Sequence, residues 1–205
     1  AHGTEQSVVQ HTLKNGIKTI DATCPLVKRI HDEVRNLADE GRSIIIVGDQ
    51  GHEEVLGIAS QVEKAIIVSH PDDAKKIEKL KSIGVVTQST QTSENVKAII
   101  DILFDKTQDL RIINTICPPT TRNQNEVKRI SQENDIVIVI GSKTSANTKR
   151  LLSVSQKYNK RSYMISGPEE IDKNWFKEGD KVGVTAGAST PDEMINAAIS
   201  IIREL

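Results

Sequence analysis

"IDATCPLV" (Ile20 to Val27) and "INTICPPT" (Ile113 to Thr120) share one pattern. Each runs from an apolar residue through Asp or Asn and a short linker to Cys and Pro. Together they hold both cysteines of the 205-residue chain, Cys24 and Cys117. Aligning them brings the downstream segments into register as well, the mark of an internal repeat. Cys24 to Gly48 and Cys117 to Gly141 span the same interval, and each glycine ends a strand-like run, "SIIIVG" or "DIVIVIG". A second apolar run comes next, from Ala65 in one copy and from Ser162 in the other. "HPDD" (His70 to Asp73) and "GPEE" (Gly167 to Glu170) then read as helix starts, with Pro in the first turn and acids near the positive helix end. "GVVTQST" (Gly84 to Thr90) parallels "GVTAGAS" (Gly183 to Ser189), and both lead into helices. In the second copy Thr190, Pro191 and Glu193 predict a capping box with Pro at the first helical position.

Each copy covers roughly 90 residues, too long for a solenoid repeat. Alternating strands and helices predict parallel sheets with right-handed crossovers. The fold class expected is α/β, with two duplicated small domains of about four strands each. The chain opens with "AHG", a helix-like stretch (Thr4 to Lys14), the strand-like "IKTID" and a cysteine. That order repeats the segment from Ser89 through "LRIIN" to Cys117. Residues 1–22 are therefore expected to be the tail of a further, truncated unit, 23–115 the second unit and 116–205 the third. Three such units imply a pseudo-threefold arrangement around a central cavity, with a third cysteine in the absent part.

Composition bounds the possibilities. Hydrophobic residues make up 37% and charged residues 27%, as in an ordinary globular protein, and aromatics only 2%, so the core must be aliphatic. A formal net charge of -1 argues against a general nucleic-acid binder. No apolar run approaches membrane-spanning length. Two cysteines do not make a disulfide scaffold, and with no signal peptide in view the expected compartment is the cytoplasm, where thiols serve as ligands or catalysts.

Ligands of open parallel sheets sit at the carboxyl ends of strands, and the unusual polar residues fall there. Cys24 and Cys117 follow the first strand of each copy. Gly51, His52 and Glu54 follow the second strand of copy one, and Ser142, Ser145 and Asn147 hold the same place in copy two. Gln88, Ser89 and Thr90 end the last strand of one copy, Gly187 and Ser189 that of the other, and His2 that of the truncated unit. A lone cysteine reads as a small buried hydrophobe; two thiols at matched strand ends read as ligands. The tight C-x-x-C hook of a zinc site is absent. A soft cluster held by thiolates fits better. "GSKTSANTKR" (Gly141 to Arg150) reads either as a helix N-cap or as an anion cradle. "KKIEKLK" (Lys75 to Lys81) reads as a solvated helix face, and His11, His31 and His70 as structural.

"DATCPLV" with His31, "GHEEVLG" (Gly51 to Gly57), "VTQST", "NTICPPTTRNQ" (Asn114 to Gln124), "GSKTSANTKRL" and "VGVTAGASTPD" resemble the 4-hydroxy-3-methylbut-2-enyl diphosphate reductases. The likeness runs from residue 1 to about 192, six motifs in order. It implies three pseudo-symmetric α/β units, a [4Fe–4S] cluster on three cysteines with Cys24 and Cys117 as two of them, and an allylic diphosphate substrate. It implies diphosphate binding by His2, His52, Ser145, Asn147 and Ser189, and Glu54 as the acid that relays protons. Ser89 stands where the family commonly has Thr, keeping the hydroxyl near the leaving group. Ala146 replaces a common Ser and Glu53 a common Pro. The implied electron donor is ferredoxin- or flavodoxin-like, with neither membrane nor nucleic acid as partner. Alternatives are an inactive fragment, a non-catalytic diphosphate-binding module with structural cysteines and, more remotely, a zinc hydrolase.

Overall fold

The runs "SIIIV" and "IVIVI" are too short for helices and rich in β-branched residues, and each forms the central strand of a parallel sheet. The structure, a computed structural model, describes Gly3 to Leu205; the chain passes from one compact unit to a second between Cys117 and Pro118.

In the N-terminal unit the order is α1 (Gln6–Lys14), α2 (Pro25–Asp39), β1 (Ser43–Val47), α3 (Glu53–Ala59), β2 (Ala65–Val68), α4 (Pro71–Lys75), β3 (Ser82–Thr87), α5 (Ser93–Phe104) and β4 (Asp109–Ile112). The sheet order is β2-β1-β3-β4, all parallel. Side chains alternate across a strand, so β1 feeds two cores. Ile45 and Val47 join Ile83, Val85, Val96, Ile99 and Leu103 on the α4–α5 face. Ile44 and Ile46 join Val34, Leu37, Val55, Ile58 and Val86 on the α2–α3 face. Gly84 lies under Leu37, where a Cβ would meet three of that side chain's atoms at 3.1 Å.

The C-terminal unit runs α6 (Pro118–Glu133), β5 (Ile136–Ile140), α7 (Ala146–Tyr158), β6 (Ser162–Ile165), β7 (Val182–Ala186) and α8 (Asp192–Arg203), with 3₁₀ turns at Pro168–Glu170 and Lys173–Trp175. Its three parallel strands lie in the order β6-β5-β7. All five residues of β5 are fully buried. Val137 and Val139 face α6 and α7, and Ile136, Ile138 and Ile140 face Ala198 of α8. Each such side chain contributes about 1.5–3 kcal/mol on burial, so this strand anchors the unit. Ser131, Ser155 and Ser162 thread a buried hydroxyl chain through α6, α7 and β6, at 2.8 and 2.7 Å.

In both units the chain leaves the central strand toward one face and its neighbour toward the other. α3 follows β1 onto one face while α5 follows β3 onto the opposite one, and α7 and α8 do the same around β5 and β7. Such a topological switch point opens a crevice at the carboxyl ends of two adjacent strands, the place where open α/β sheets bind ligands.

Four expectations need correction. "KKIEKLK" (Lys75 to Lys81) is not a helix face, because α4 ends at Lys75 and Ile77 packs into the core. "IKTID" (17–21) forms no strand, and Ile20 is 87% exposed; among the described residues no strand pairs with it, and an extended segment without a partner leaves its backbone groups to water. "LRIIN" does contribute a strand, β4, but it pairs with β3 in the N-terminal unit. The sheets accordingly have four and three strands. Finally, α8 begins at Asp192 with Pro191 as its N-cap and no side-chain cap. The Thr190 hydroxyl donates instead to the Ile140 carbonyl, closing the gap between β5 and β7.

Candidate active site

The repeated Asp or Asn before each cysteine has a local cause. Asp21 Oδ1 accepts from the Thr23 amide at 2.9 Å, and Asn114 Oδ1 accepts from the Ile116 amide at 3.2 Å. Both are side-chain turns that bend the chain just before the thiol. Pro25 and Pro118 then start α2 and α6, where proline loses nothing because first-turn amides have no helical partner. Asp21 also pairs with Lys28 at 2.6 Å. Hydrogen bonds from the Lys28 ammonium and from Thr23 hold its carboxyl well below the usual range.

Beyond β1, Gly48, Asp49, Gln50 and Gly51 carry the chain to His52. The Asp49 amide donates to Gln88 Oε1 at 2.8 Å, the Gln50 amide to Ser69 Oγ at 3.0 Å, and Gly51 takes a left-handed φ of 81°. His52 caps α3, its Nδ1 accepting from the Glu54 amide at 3.1 Å. That acceptance puts the ring hydrogen on Nε2. Glu54 is fully buried. Burying a carboxyl group is costly unless it is hydrogen-bonded, and Ser89 supplies both bonds: its amide donates to Oε1 at 2.6 Å and its hydroxyl to Oε2 at 2.9 Å. The Ser89 carbonyl in turn accepts from the Cys117 amide at 2.9 Å. Thiol-bearing backbone, hydroxyl and acid are thus joined end to end at the β1–β3 switch point. Gln88, fully buried beside them, keeps its Nε2 without a hydrogen-bond partner.

The C-terminal unit repeats this backbone. The Gly141 amide donates to Ile165 O and the Gly187 amide to Ile140 O, as Gly48 and Gln88 do to Val68 and Val47. Ser145 caps α7, its Oγ accepting from the Thr148 amide at 3.3 Å. Asn147 follows, half-buried, with its Nδ2 buried and without a hydrogen-bond partner. A buried donor left unmade costs about 1–3 kcal/mol. Ser189 is exposed in the turn after β7.

The structure therefore joins Glu54, Ser89 and Cys117 directly and places His52 beside Glu54. Cys24 belongs to the same unit, at the start of α2. Ser145, Asn147 and Ser189 line the strand ends of the other unit, and His2 lies outside the described residues. Both thiols are free and half-buried. Their donor chemistry fits a thiolate-held iron–sulfur group, two cysteines of the three that the resemblance implies. Among the described residues no three His, Cys, Asp or Glu side chains gather as a metal site by themselves. Sequence reasoning passed over Thr115, in the loop after β4, and Thr148, in the first turn of α7, both buried hydroxyls; the only signal was their place near Cys117 and beside Asn147.

A buried acid strapped to a strand end adds nothing to packing that an apolar pair would not do better, so the arrangement marks an enzyme of the parallel α/β class with its site at the strand ends. The comparisons narrow that class. The LytB protein family model matches residues 1–203, and the chain belongs to that family. It is 39% identical to the 4-hydroxy-3-methylbut-2-enyl diphosphate reductase of Dictyoglomus thermophilum over 207 residues, covering 100% of this chain and 72% of that one. It is 38% identical to that of Geobacter sulfurreducens, covering 100% and 73%. A solved structure of (E)-4-hydroxy-3-methyl-but-2-enyl diphosphate reductase, the terminal enzyme of the non-mevalonate pathway, superposes with a TM-score of 0.64 at 38% identity, covering 100% of this chain and 74% of the other. The E-1-hydroxy-2-methyl-but-2-enyl-4-diphosphate reductase of Plasmodium falciparum superposes with a TM-score of 0.93 at 30% identity, covering 98% and 65%.

Proposed function

We propose that this chain is an oxidoreductase that removes the allylic hydroxyl of 4-hydroxy-3-methylbut-2-enyl diphosphate, giving isopentenyl and dimethylallyl diphosphate. The observation that carries the reading is the hydrogen-bonded line from the Cys117 amide through Ser89 to the buried Glu54. In the net reaction the C–O bond breaks, two electrons and two protons enter, one hydrogen ends on carbon, and the oxygen leaves as water. Cys24 and Cys117 would hold a [4Fe–4S] cluster, with a third thiolate supplied from outside these two cysteines. When bound, such a cluster supplies the two electrons, which no side chain can carry.

The remaining work falls to this chain's own residues. Hydroxide is a poor leaving group, so the departing oxygen needs a proton from a positioned acid. Glu54 is that acid. The Ser89 hydroxyl, 2.9 Å from Glu54 Oε2, both donates and accepts, and can pass the proton on. The diphosphate requires fixed donors that do not reorganise as charge shifts. His52 offers Nε2–H, Asn147 its buried amide, and Ser145 and Ser189 their hydroxyls, the last two at or beside helix starts that favour anions. His2 completes the donors in this proposal. The electron donor is a ferredoxin- or flavodoxin-like protein, and the compartment is the cytoplasm, where a water-soluble diphosphate and free thiols both persist. No described helix is long and apolar enough to cross a membrane.

The test is anaerobic reconstitution with iron and sulfide, followed by assay of Glu54→Gln. The variant is expected to keep the cluster absorbance and diphosphate affinity while turnover collapses. Near-normal turnover would remove Glu54 from the chemistry.

A further inference from the structure

β3 and β4 stop pairing in the regular way at Val85 and Ile112, with one more ladder bond from the Ile113 amide to Val85 O at 2.9 Å. The side-chain turn at Asn114 then lifts the backbone away. Thr87, at the end of β3 and fully buried, would be left with a backbone amide and a carbonyl facing nothing. The Thr115 hydroxyl satisfies both. It accepts from the Thr87 amide at 2.8 Å and donates to the Thr87 carbonyl at 2.7 Å. The Thr87 hydroxyl lies 3.1 Å away and completes the oxygen's capacity for hydrogen bonds. One residue beyond Ile116, backbone pairing resumes, from the Cys117 amide to Ser89 O at 2.9 Å. Val85–Ile113, Thr87–Thr115 and Ser89–Cys117 keep one constant offset, so the hydroxyl acts as a splice that carries the ladder across a turn in register.

We propose that Thr115 is a positioning residue, setting the Cys117 ligand against the Glu54–Ser89 acid pair. The inference rests on the reductase reading for what that alignment accomplishes, and on the hydrogen bonds alone for the alignment itself. Among the described residues no other side chain offers both a donor and an acceptor to the Thr87 backbone, and valine, nearly the same in shape, offers neither. The equivalent place in the other copy is Ala22, where the segment before Cys24 forms no strand. The splice is therefore confined to the thiol beside the acid.

The experiment compares Thr115→Val and Thr115→Ser with the wild-type chain. In the cluster-free protein, Thr115→Val should speed hydrogen exchange of the Thr87 and Cys117 amides by about 10- to 100-fold, the consequence of unpairing buried groups. Thr115→Ser should restore protection. In the loaded enzyme, kcat should fall about 10- to 100-fold with KM nearly unchanged, because misplacement penalises the reacting geometry more than binding. Ser131→Ala, which breaks the buried hydroxyl chain of the C-terminal unit, should lower stability and leave kcat alone. Unchanged exchange in Thr115→Val would overturn the splice, and faster exchange with normal kcat would overturn its catalytic importance. Should Thr115→Val fail to fold, unprotected Thr87 and Cys117 amides in the wild type would sink the proposal equally. A wild-type chain without turnover would count against the reductase reading, while the exchange arm would still decide the hold on Cys117.

Discussion

At the end of β1, Gly48 opens a loop that closes on His52 as the cap of α3; at the end of β5, Gly141 opens one that closes on Ser145 as the cap of α7. The two loops have equal length and matching backbone hydrogen bonds. They differ in the groups that fill the space beside the glycine. In the first, Val55 and Gln88 press on Gly48, where a Cβ would meet Val55 Cγ2 at 2.5 Å. In the second, the Thr148 hydroxyl sits between Gly141 and Gly187, where added Cβ atoms would meet it at 2.6 and 2.5 Å. One residue before Val55 and Thr148 stand Glu54 and Asn147. The same scaffold thus presents a buried, doubly bonded acid in one unit and a half-buried amide with a buried, unbonded Nδ2 in the other. Duplicated backbone sets where the functional group points, and the single side chain there sets its chemistry.

The sharpest way to break this comparison is to erase the difference. Glu54→Gln turns the acid into an amide of nearly the same shape, and turnover should fall by about 10²- to 10⁴-fold, the usual worth of a general acid, measured with reduced electron donor under anaerobic conditions. Asn147→Asp is the reciprocal change. It replaces a donor with a negative charge, and KM for the diphosphate should rise about 10- to 100-fold, since hydrogen bonds to charged groups carry the larger energies.

Packing around the glycines gives a smaller effect. Gly187→Ala should destabilise the C-terminal unit by about 1–3 kcal/mol through overpacking against Thr148, read by denaturant melts. Thr148→Ala in the same chain should recover part of that loss, as expected of touching residues. Ser145→Ala removes the cap of α7, and about 1 kcal/mol of stability should be lost with it.

The gentlest perturbation is pH. Burial of His31 in α2 lowers its pKa from the ordinary 6.5, with the Arg35 charge adding to the shift and Asp32 and Asp21 opposing it. The unfolded chain therefore takes up this proton first as pH falls. Stability should decline below about pH 6.5 until the folded-state value is reached, then level off. His31→Gln should flatten that part of the thermal midpoint profile.

Much of this was legible in residues whose meaning is local. The matched intervals from Cys24 to Gly48 and Cys117 to Gly141 exposed the duplication, and β-branched runs announced β1 and β5. The pairing of strands was not local. "IKTID" and "LRIIN" look alike, yet among the described residues only the latter has a partner, β3, and forms a strand. Thr190 and Pro191 spelled a helix cap, but a carbonyl at the end of β5 captured the hydroxyl.

The amino-acid order by itself determined the α/β class, the two copies and the residue types gathered at strand ends, because periodicity, turn chemistry and spacing are written along the chain. Only the tertiary structure decided that Ser89 holds Glu54, that a threonine hydroxyl bridges the ladder to Cys117, and that Asn147 keeps a buried donor unmade. Those facts depend on which strand lies beside which, and such long-range neighbours are chosen by the burial of whole sheets.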